Sequence, residues 1–315
     1  MNILLFTTGG TIGSAFDGTA IDVRTDGKCA VAERYAAAHP DVQFHILSPL
    51  NILSESVTAD DLTVLIKALL EADLSVFDGV ILTVGSDNLA YLASLVGLLC
   101  GGWHVPVILV AADKVLSDPL SNGYENFSCA VALIRLKRQG IFVPYRNSDG
   151  VLYVHSATDL RQADLSDDFV SHHGAYGVFA EGVLHEKRPY LQQSIPAVFD
   201  RDHLPHISDN VLLIHPYPLQ DYTALSADGK KAVLHTLYHS ATPDADRLIP
   251  WMRSHPDLPV YLASFRSGRQ LYQTALDAIE AGAIPLYDIA PECAYMKLVL
   301  ACAQDEMSIT EFMRS

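Results

Sequence analysis

Residues 3–13 read ILLFTTGGTIG, and the reading of this stretch decides the fold. Ile3 to Phe6 are a short apolar run suited to a buried strand. Two threonines, Gly9, Gly10 and Thr11 come directly after it. Consecutive glycines at a strand exit allow backbone conformations closed to other residues and let the chain approach a ligand closely. Hydroxyls beside such a turn sit where open α/β sheets place their binding crevices, outside the carboxyl ends of the strands. An ordinary strand and turn, with the threonines capping the next element, accounts for the same residues from this stretch alone.

Working outward, the 315 residues suffice for a large core and predict two domains. Half the residues are apolar and 18% are charged, a folded rather than a disordered composition. The net charge of −16 repels a phosphate backbone, and no basic patch with interleaved aromatics offsets it, so nucleic acid is not an expected partner. The longest uncharged apolar stretch, Leu89 to Gly101, falls short of the roughly 20 residues a bilayer requires. The first residues lack the basic region of a signal peptide. Neither a membrane nor export is therefore expected, and the expected location is cytoplasmic. Cys29, Cys100, Cys129, Cys293 and Cys302 lack the close pairs of a zinc site, and their odd number implies at least one free thiol and a reducing compartment.

Along the chain, Ser14 to Lys28 is a Gly-, Asp- and Thr-rich loop with the place of a lid. A helix is predicted at Cys29–Ala38, a strand at Val42–Leu47, and a loop at Asn51–Ser56. Thr58 and Asp61 form a near-variant of the capping box ahead of the stripe Leu62, Leu65, Ile66 and Leu69. Val80–Val84 is a strand running into GSDN. Leu89–Leu99 is a helix apolar all round, Val105–Val110 a strand and Glu125–Arg138 a helix. Gly150–Val154 is a strand with Gly140–Val143 as its hairpin partner. This alternation predicts an α/β fold with a mostly parallel sheet flanked by helices. The larger N-terminal domain is expected over 1–182, a Pro- and His-rich linker over 183–208, and a smaller C-terminal α/β domain over 209–315. The latter has predicted strands at Val211–Ile214, Val260–Ala263 and Ile284–Leu286, and predicted helices at Lys230–His239, Arg269–Ala281 and Glu292–Ala303.

Four loops gather at the carboxyl edge of the predicted N-terminal sheet. They carry Thr8 and Thr11, Ser54 to Ser56, Ser86 to Asn88, and Asn122 with Gly123. TTGGTIG has neither the Lys-Ser/Thr ending of a phosphate loop nor the spacing of a dinucleotide fingerprint. No metal-ligand spacing lies among these loops, and His104 and His155 stand alone, so no cofactor or metal is expected. The chemistry left is recognition of a small polar molecule. Asp87 suits an α-ammonium, and the Ser54 hydroxyl or the backbone N–H groups around Gly10 suit a carboxylate or an oxyanion. A threonine hydroxyl needs activation by a base or by an electropositive setting to act as a nucleophile.

TTGGTIG resembles the amino-terminal signature of the bacterial-type asparaginase/glutaminase family, in which a TGGT segment carries the nucleophilic threonine. VILTVGSDN resembles the family's second motif, NILSESVTADDL its carboxylate-binding segment, and PVILVAADK with SNGYEN the next strand and loop. IPLYDIAPECAYMKLVLA resembles a late segment ending in a helix. The resemblance implies an amidohydrolase that converts asparagine, or a related small amidated amino acid, to acid and ammonia through a threonine acyl-enzyme. By it Thr11 is the nucleophile, Ser86 the second hydroxyl, Asp87 the amine-binding carboxylate and Ser54 the carboxylate ligand. Glu55 lies beside Ser54, and Gly10 and Gly85 supply backbone to the substrate site. It also implies a homodimer or homotetramer. Two features depart from the family. VHSATDLRQAD, where a lysine is expected to pair with the second hydroxyl, has none, leaving Arg161 as the nearby cation. Residues 14–28 have Phe16 but no tyrosine. Arginine stays protonated and cannot serve as a base, so a non-catalytic or weakly catalytic binder of an amino acid or small metabolite on the same scaffold is the alternative expectation.

Overall fold

The computed structural model describes residues 1–10, 12, 14–16, 21–23, 29–164 and 166–315, with only the backbone described for 14–16 and 21–23. The chain forms two compact units, Met1–Leu204 and Pro205–Ser315.

In the first unit the opening apolar run is strand β1 (Asn2–Thr7). Because side chains alternate across a strand, Leu4 and Phe6 enter one hydrophobic cluster and Ile3 and Leu5 another, on opposite faces of the sheet. A short antiparallel pair comes next, β2 (Ser14–Phe16) with β3 (Ile21–Val23), inside the segment expected to be a loop. Helix α1 (Ala30–Ala38) and β4 (Gln43–Leu47) lead to α2 (Ala59–Leu70). The Thr58 and Asp61 capping box closes as predicted: Asp61 N–H donates to Thr58 Oγ1 at 3.2 Å, and Thr58 N–H donates to Asp61 Oδ2 at 2.9 Å. β5 (Gly79–Thr83) and β6 (Val107–Val110) are buried throughout, and between them α3 (Leu89–Cys100) buries nearly its whole circumference. α4 (Gly123–Arg135) leads to β7 (Ile141–Arg146) and its hairpin partner β8 (Leu152–Ser156). The small pair β9 (Leu160–Arg161) and β10 (Val170–Ser171) is followed by β11 (Gly177–Ala180) and β12 (Val183–Glu186).

The eight-stranded sheet runs β12-β11-β8-β7-β6-β5-β1-β4. β4, β1, β5, β6 and β7 are parallel, and the β8, β11 and β12 side is antiparallel. Residues 183–186 thus extend the sheet at the point where a linker was expected. They form its edge and are largely exposed, so they lack the apolar alternation that marks a buried strand.

The second unit is a four-stranded parallel sheet, β13 (Val211–Ile214), β14 (Ala232–Thr236), β15 (Val260–Phe265) and β16 (Ile284–Tyr287), in that order. Its helices are α5 (Ala245–Ser254), α6 (Gln273–Glu280), α7 (Pro291–Cys302) and α8 (Ile309–Arg314). The helix expected over Lys230–His239 is instead β14, wholly buried between β13 and β15. Its five residues, AVLHT, are too few for periodicity alone to separate a helix from a buried strand. α5 went unpredicted because Pro250 lies inside it, and Pro ordinarily reads as a helix boundary. Among the described residues no helix is long and apolar enough to cross a membrane, and all five cysteines are free and buried.

His155 in β8 is 1% exposed, with Nδ1 2.8 Å from Ser171 Oγ. Burial pushes its imidazole down to about 3, so it is neutral in the fold, whereas the unfolded chain protonates near 6.5. The unfolded state therefore binds the extra proton between these values, and the stability due to neutral His155 is lost as pH falls from 6.5 towards 3. His155→Gln should remove about 2 kcal/mol of the stability difference between pH 6.5 and pH 5, read from urea unfolding at both values.

Candidate active site

The exits of β1, β4 and β5 meet at the carboxyl edge of the first sheet. Thr8 fastens two of them: its N–H and its Oγ1 both donate to Thr83 O, at 3.2 and 3.0 Å. The Thr8 side chain is buried and engaged. The third exit is tied in by Ile52 N–H, which donates to Thr8 O at 3.0 Å, and Gly9 bridges Ile52 in parallel fashion.

The glycine turn is built for contact. Gly9 has φ +102° and Gly10 φ +80°, in the region that disfavours L side chains. A Cβ on Gly9 would lie 2.3 Å from Ile52 O, one on Gly10 would lie 2.5 Å from Gly85 Cα, and one on Gly85 would lie 2.3 Å from Ser54 Cβ. Gly10, Gly85 and Ser54 are thus stacked with no room for a methyl group. Thr11, the expected nucleophile, lies outside the described residues, directly after this turn.

Ser54 begins a 3-10 turn, Ser54–Ser56, and is buried, whereas Glu55 is exposed beside it. Ser86 and Asp87 lie on the equivalent turn after β5, Ser86–Asn88. The two turns are joined side chain to side chain: Ser54 Oγ donates to Asp87 Oδ2 at 2.7 Å, and Asn88 Nδ2 donates to Ser54 O. Gly10, Ser54, Gly85, Ser86 and Asp87, named from separate stretches of sequence, are therefore neighbours in space.

Ser86 and Asp87 also line a pocket of about 190 Å³ with Gln162, Asp164, Asp167 and Phe169. Sequence reasoning passed over Gln162. Its Nε2 donates to Ser86 O at 2.9 Å, and its Oε1 accepts from Ala90 N–H, in the first turn of α3, at 3.1 Å. Arg161, expected to supply the family lysine's charge, is the neighbouring residue in β9, paired with Val170, and is not among the residues lining this pocket. The only signal for Gln162 was its place next to Arg161, since a neutral amide carries no chemistry that draws attention to it. Carboxylates crowd the pocket. Desolvation, followed by the negative charges of Asp113, Asp87 and Asp168, raises the Asp167 carboxyl above its usual range, and Lys114 acts the other way.

The fourth crevice loop does architectural work. Asn122 is 1% exposed and all its polar groups are committed: Oδ1 accepts from Asp113 N–H, Nδ2 donates to Arg146 O, and its own N–H donates to Asp113 Oδ1, each at 2.9 Å. His172 and His173 lie on a turn at Asp159, whose Oδ1 sits 2.6 Å from His173 Nδ1. Among the described residues no group of three or more His, Cys, Asp or Glu is placed to hold a metal ion.

Residues 2–185 match the family model described as "Asparaginase, N-terminal". Among curated proteins, the chain is 27% identical over 328 aligned positions to a glutamyl-tRNA(Gln) amidotransferase subunit of Methanosarcina acetivorans, covering 96% of this chain and 74% of that protein. It is 24% identical over 311 positions to an L-asparaginase of Thermococcus kodakarensis, covering 96% and 92%. Among solved structures, the thermostable L-asparaginase from Thermococcus kodakarensis superposes with a TM-score of 0.78 at 21% identity, over 100% of this chain and 96% of that one. A probable cytoplasmic L-asparaginase from Campylobacter jejuni gives 0.78 at 21% identity, over 99% of each chain. At this identity the structural likeness establishes the fold alone.

Gly10→Ala should cost about 3 kcal/mol, combining the penalty of positive φ with the clash against Gly85. Gly150→Ala, at φ +79° with nothing within 4 Å, should cost only the backbone penalty of about 1 kcal/mol. Chemical denaturation of the two variants compares them directly.

Proposed function

The chain belongs to the asparaginase family, and from that premise we propose that it hydrolyses the side-chain amide of asparagine or of a related small amidated molecule, with Thr11 as nucleophile. The observation that carries this reading is the direct bond from Ser54 Oγ to Asp87 Oδ2 at 2.7 Å, over the contact of Gly10 with Gly85. It joins a hydroxyl suited to a carboxylate and a carboxylate suited to an ammonium beside the turn that leads into Thr11.

In this reading a substrate ammonium takes Asp87, which releases the Ser54 hydroxyl to the substrate carboxylate. Thr11 Oγ1 attacks the amide carbon, and the oxyanion is met by backbone N–H groups of the Gly9–Gly10 turn and of residues 85–87. The nitrogen takes up the proton that Thr11 loses, passed through water at Ser86, and leaves as ammonia, and a water then cleaves the acyl-threonine to regenerate the hydroxyl. Ser86 positions that water and passes protons through it. Gln162 fixes the Ser86 turn by accepting from the Ala90 N–H and donating to the Ser86 carbonyl. Glu55, exposed beside Ser54, adds negative charge there, which favours substrates carrying an amine. A homodimer or homotetramer in the cytoplasm belongs to the same reading, and sedimentation velocity tests the assembly.

A second reading, a non-catalytic or weakly catalytic binder of an amino acid or similar metabolite, is favoured by one observation. The polar group donating to the Ser86 carbonyl is the neutral amide of Gln162, which neither carries charge nor takes up a proton. Ammonia release from asparagine, glutamine and small amides with and without a carboxylate separates the two. The hydrolase reading expects turnover with at least one of them and a loss of about 10³-fold or more in Thr11→Ala, the scale of removing a nucleophile. Turnover retained in Thr11→Ala contradicts the nucleophile assignment. Saturable binding of these compounds without ammonia release supports the binder.

A further inference from the structure

Gln162 holds the Ser86 turn, and what holds Gln162 lies outside the pocket. Gln162 follows β9 directly, and β9 pairs with β10 over two residues only, Leu160 with Ser171 and Arg161 with Val170. So short a two-stranded ladder is marginal in water by itself. The connection between these strands supplies Gln162, Asp164, Asp167 and Phe169 to the pocket shared with Ser86 and Asp87. Its far end is anchored by Asn147, whose Oδ1 accepts from Phe169 N–H at 3.0 Å and whose Nδ2 donates to Phe169 O at 2.9 Å. Those bonds secure Phe169, and Gln162 needs a hold at the other end.

That end is closed by Asp159 and His173, just beyond the ladder. Asp159 O accepts from His172 N–H at 2.7 Å, which continues the pairing one step. The Asp159 carboxylate turns to the next residue: Oδ2 accepts from His173 N–H at 3.1 Å, and Oδ1 lies 2.6 Å from His173 Nδ1. An ionised carboxylate only accepts, so the proton of this second bond is on Nδ1. Asp159 is 4% exposed. Burial raises its carboxyl above the usual range, and the bonds from His173 act the other way. Among the described residues His173 supplies both donors to this carboxylate. Losing the imidazole therefore leaves a buried carboxylate oxygen without a partner, a cost that opening the ladder to water relieves.

We propose that Asp159 and His173 form a clasp that positions Gln162 against the Ser86 turn. Neither is among the residues lining the pocket. Both act through Gln162, which spans Ser86 O and Ala90 N–H. The effect of the clasp on turnover rests on the hydrolase reading above, whereas its effect on Gln162 does not.

The Ala90 amide reports on Gln162 directly. It lies in the first turn of α3, where N–H groups have no acceptor within the helix, and it donates to Gln162 Oε1. Residue-resolved hydrogen exchange on the full chain tests the clasp. The amides of Ala90 and His172 should exchange at least tenfold faster in His173→Ala, with the β5 amides unchanged. His173→Asn, whose Nδ2 stands one bond from Cγ as Nδ1 does, should restore the wild-type rates. With any amide from which the wild type releases ammonia, His173→Ala should lower kcat at least tenfold and His173→Asn should recover it. Unchanged exchange at Ala90, equal acceleration in β5, or a kcat kept in His173→Ala or not recovered in His173→Asn would overturn the proposal. If the wild type releases no ammonia, the hydrolase reading falls and the exchange rates alone decide the clasp.

Discussion

A backbone that can exist only as glycine holds the candidate site together. Gly9 and Gly10 come after β1 at positive φ and press against Ile52 and Gly85 at distances that exclude any side chain. That contact, with the two donations of Thr8 to Thr83 O, sets the three strand exits within hydrogen-bonding reach of one another. The Ser54–Asp87 bond is then a consequence of placement alone. The large, mostly parallel sheet serves as a frame, since its alternating side chains pack helices on both faces and leave the carboxyl edge to the loops.

Much of this was legible in the residues themselves. The run at Ile3–Phe6 and the apolar strands β5 and β6 are short, but the turn residues beside them mark them as strands, and the capping box at Thr58 marks a helix start, so that local and tertiary preference agree in them. What was not legible lies where one pattern fits two structures. AVLHT is a buried strand, but its five residues lack the length to reveal a period. Pro250 disguised α5. The edge strand Val183–Glu186 carries polar residues that resemble a linker.

The candidate site divides similarly. Ser54, Gly85, Ser86 and Asp87 could be named because hydroxyl, glycine and carboxylate at strand exits each suggest chemistry, and the structure brings them together. Asn122 carried the same signal and proved to be a clamp with every polar group already used. Gln162 carried none, because its importance comes from spanning Ser86 and Ala90, more than 70 residues away in the chain. Such a long-range contact is invisible to spacing. The neutral amide there and the carboxylates around Asp167 give the cleft a polar, acidic character, which suits a ligand bearing an amine.

The most direct measurement is a crystal structure of the chain with aspartate, the acid that hydrolysis of asparagine would leave. The α-carboxylate is expected on Ser54 Oγ, the ammonium on Asp87, and the side-chain carboxylate within hydrogen-bonding distance of Thr11 Oγ1 and the Gly10 turn. Aspartate bound elsewhere, or Thr11 Oγ1 directed away from Ser54, Ser86 and Asp87, would contradict the claim that these strand exits form one amide-cleaving site.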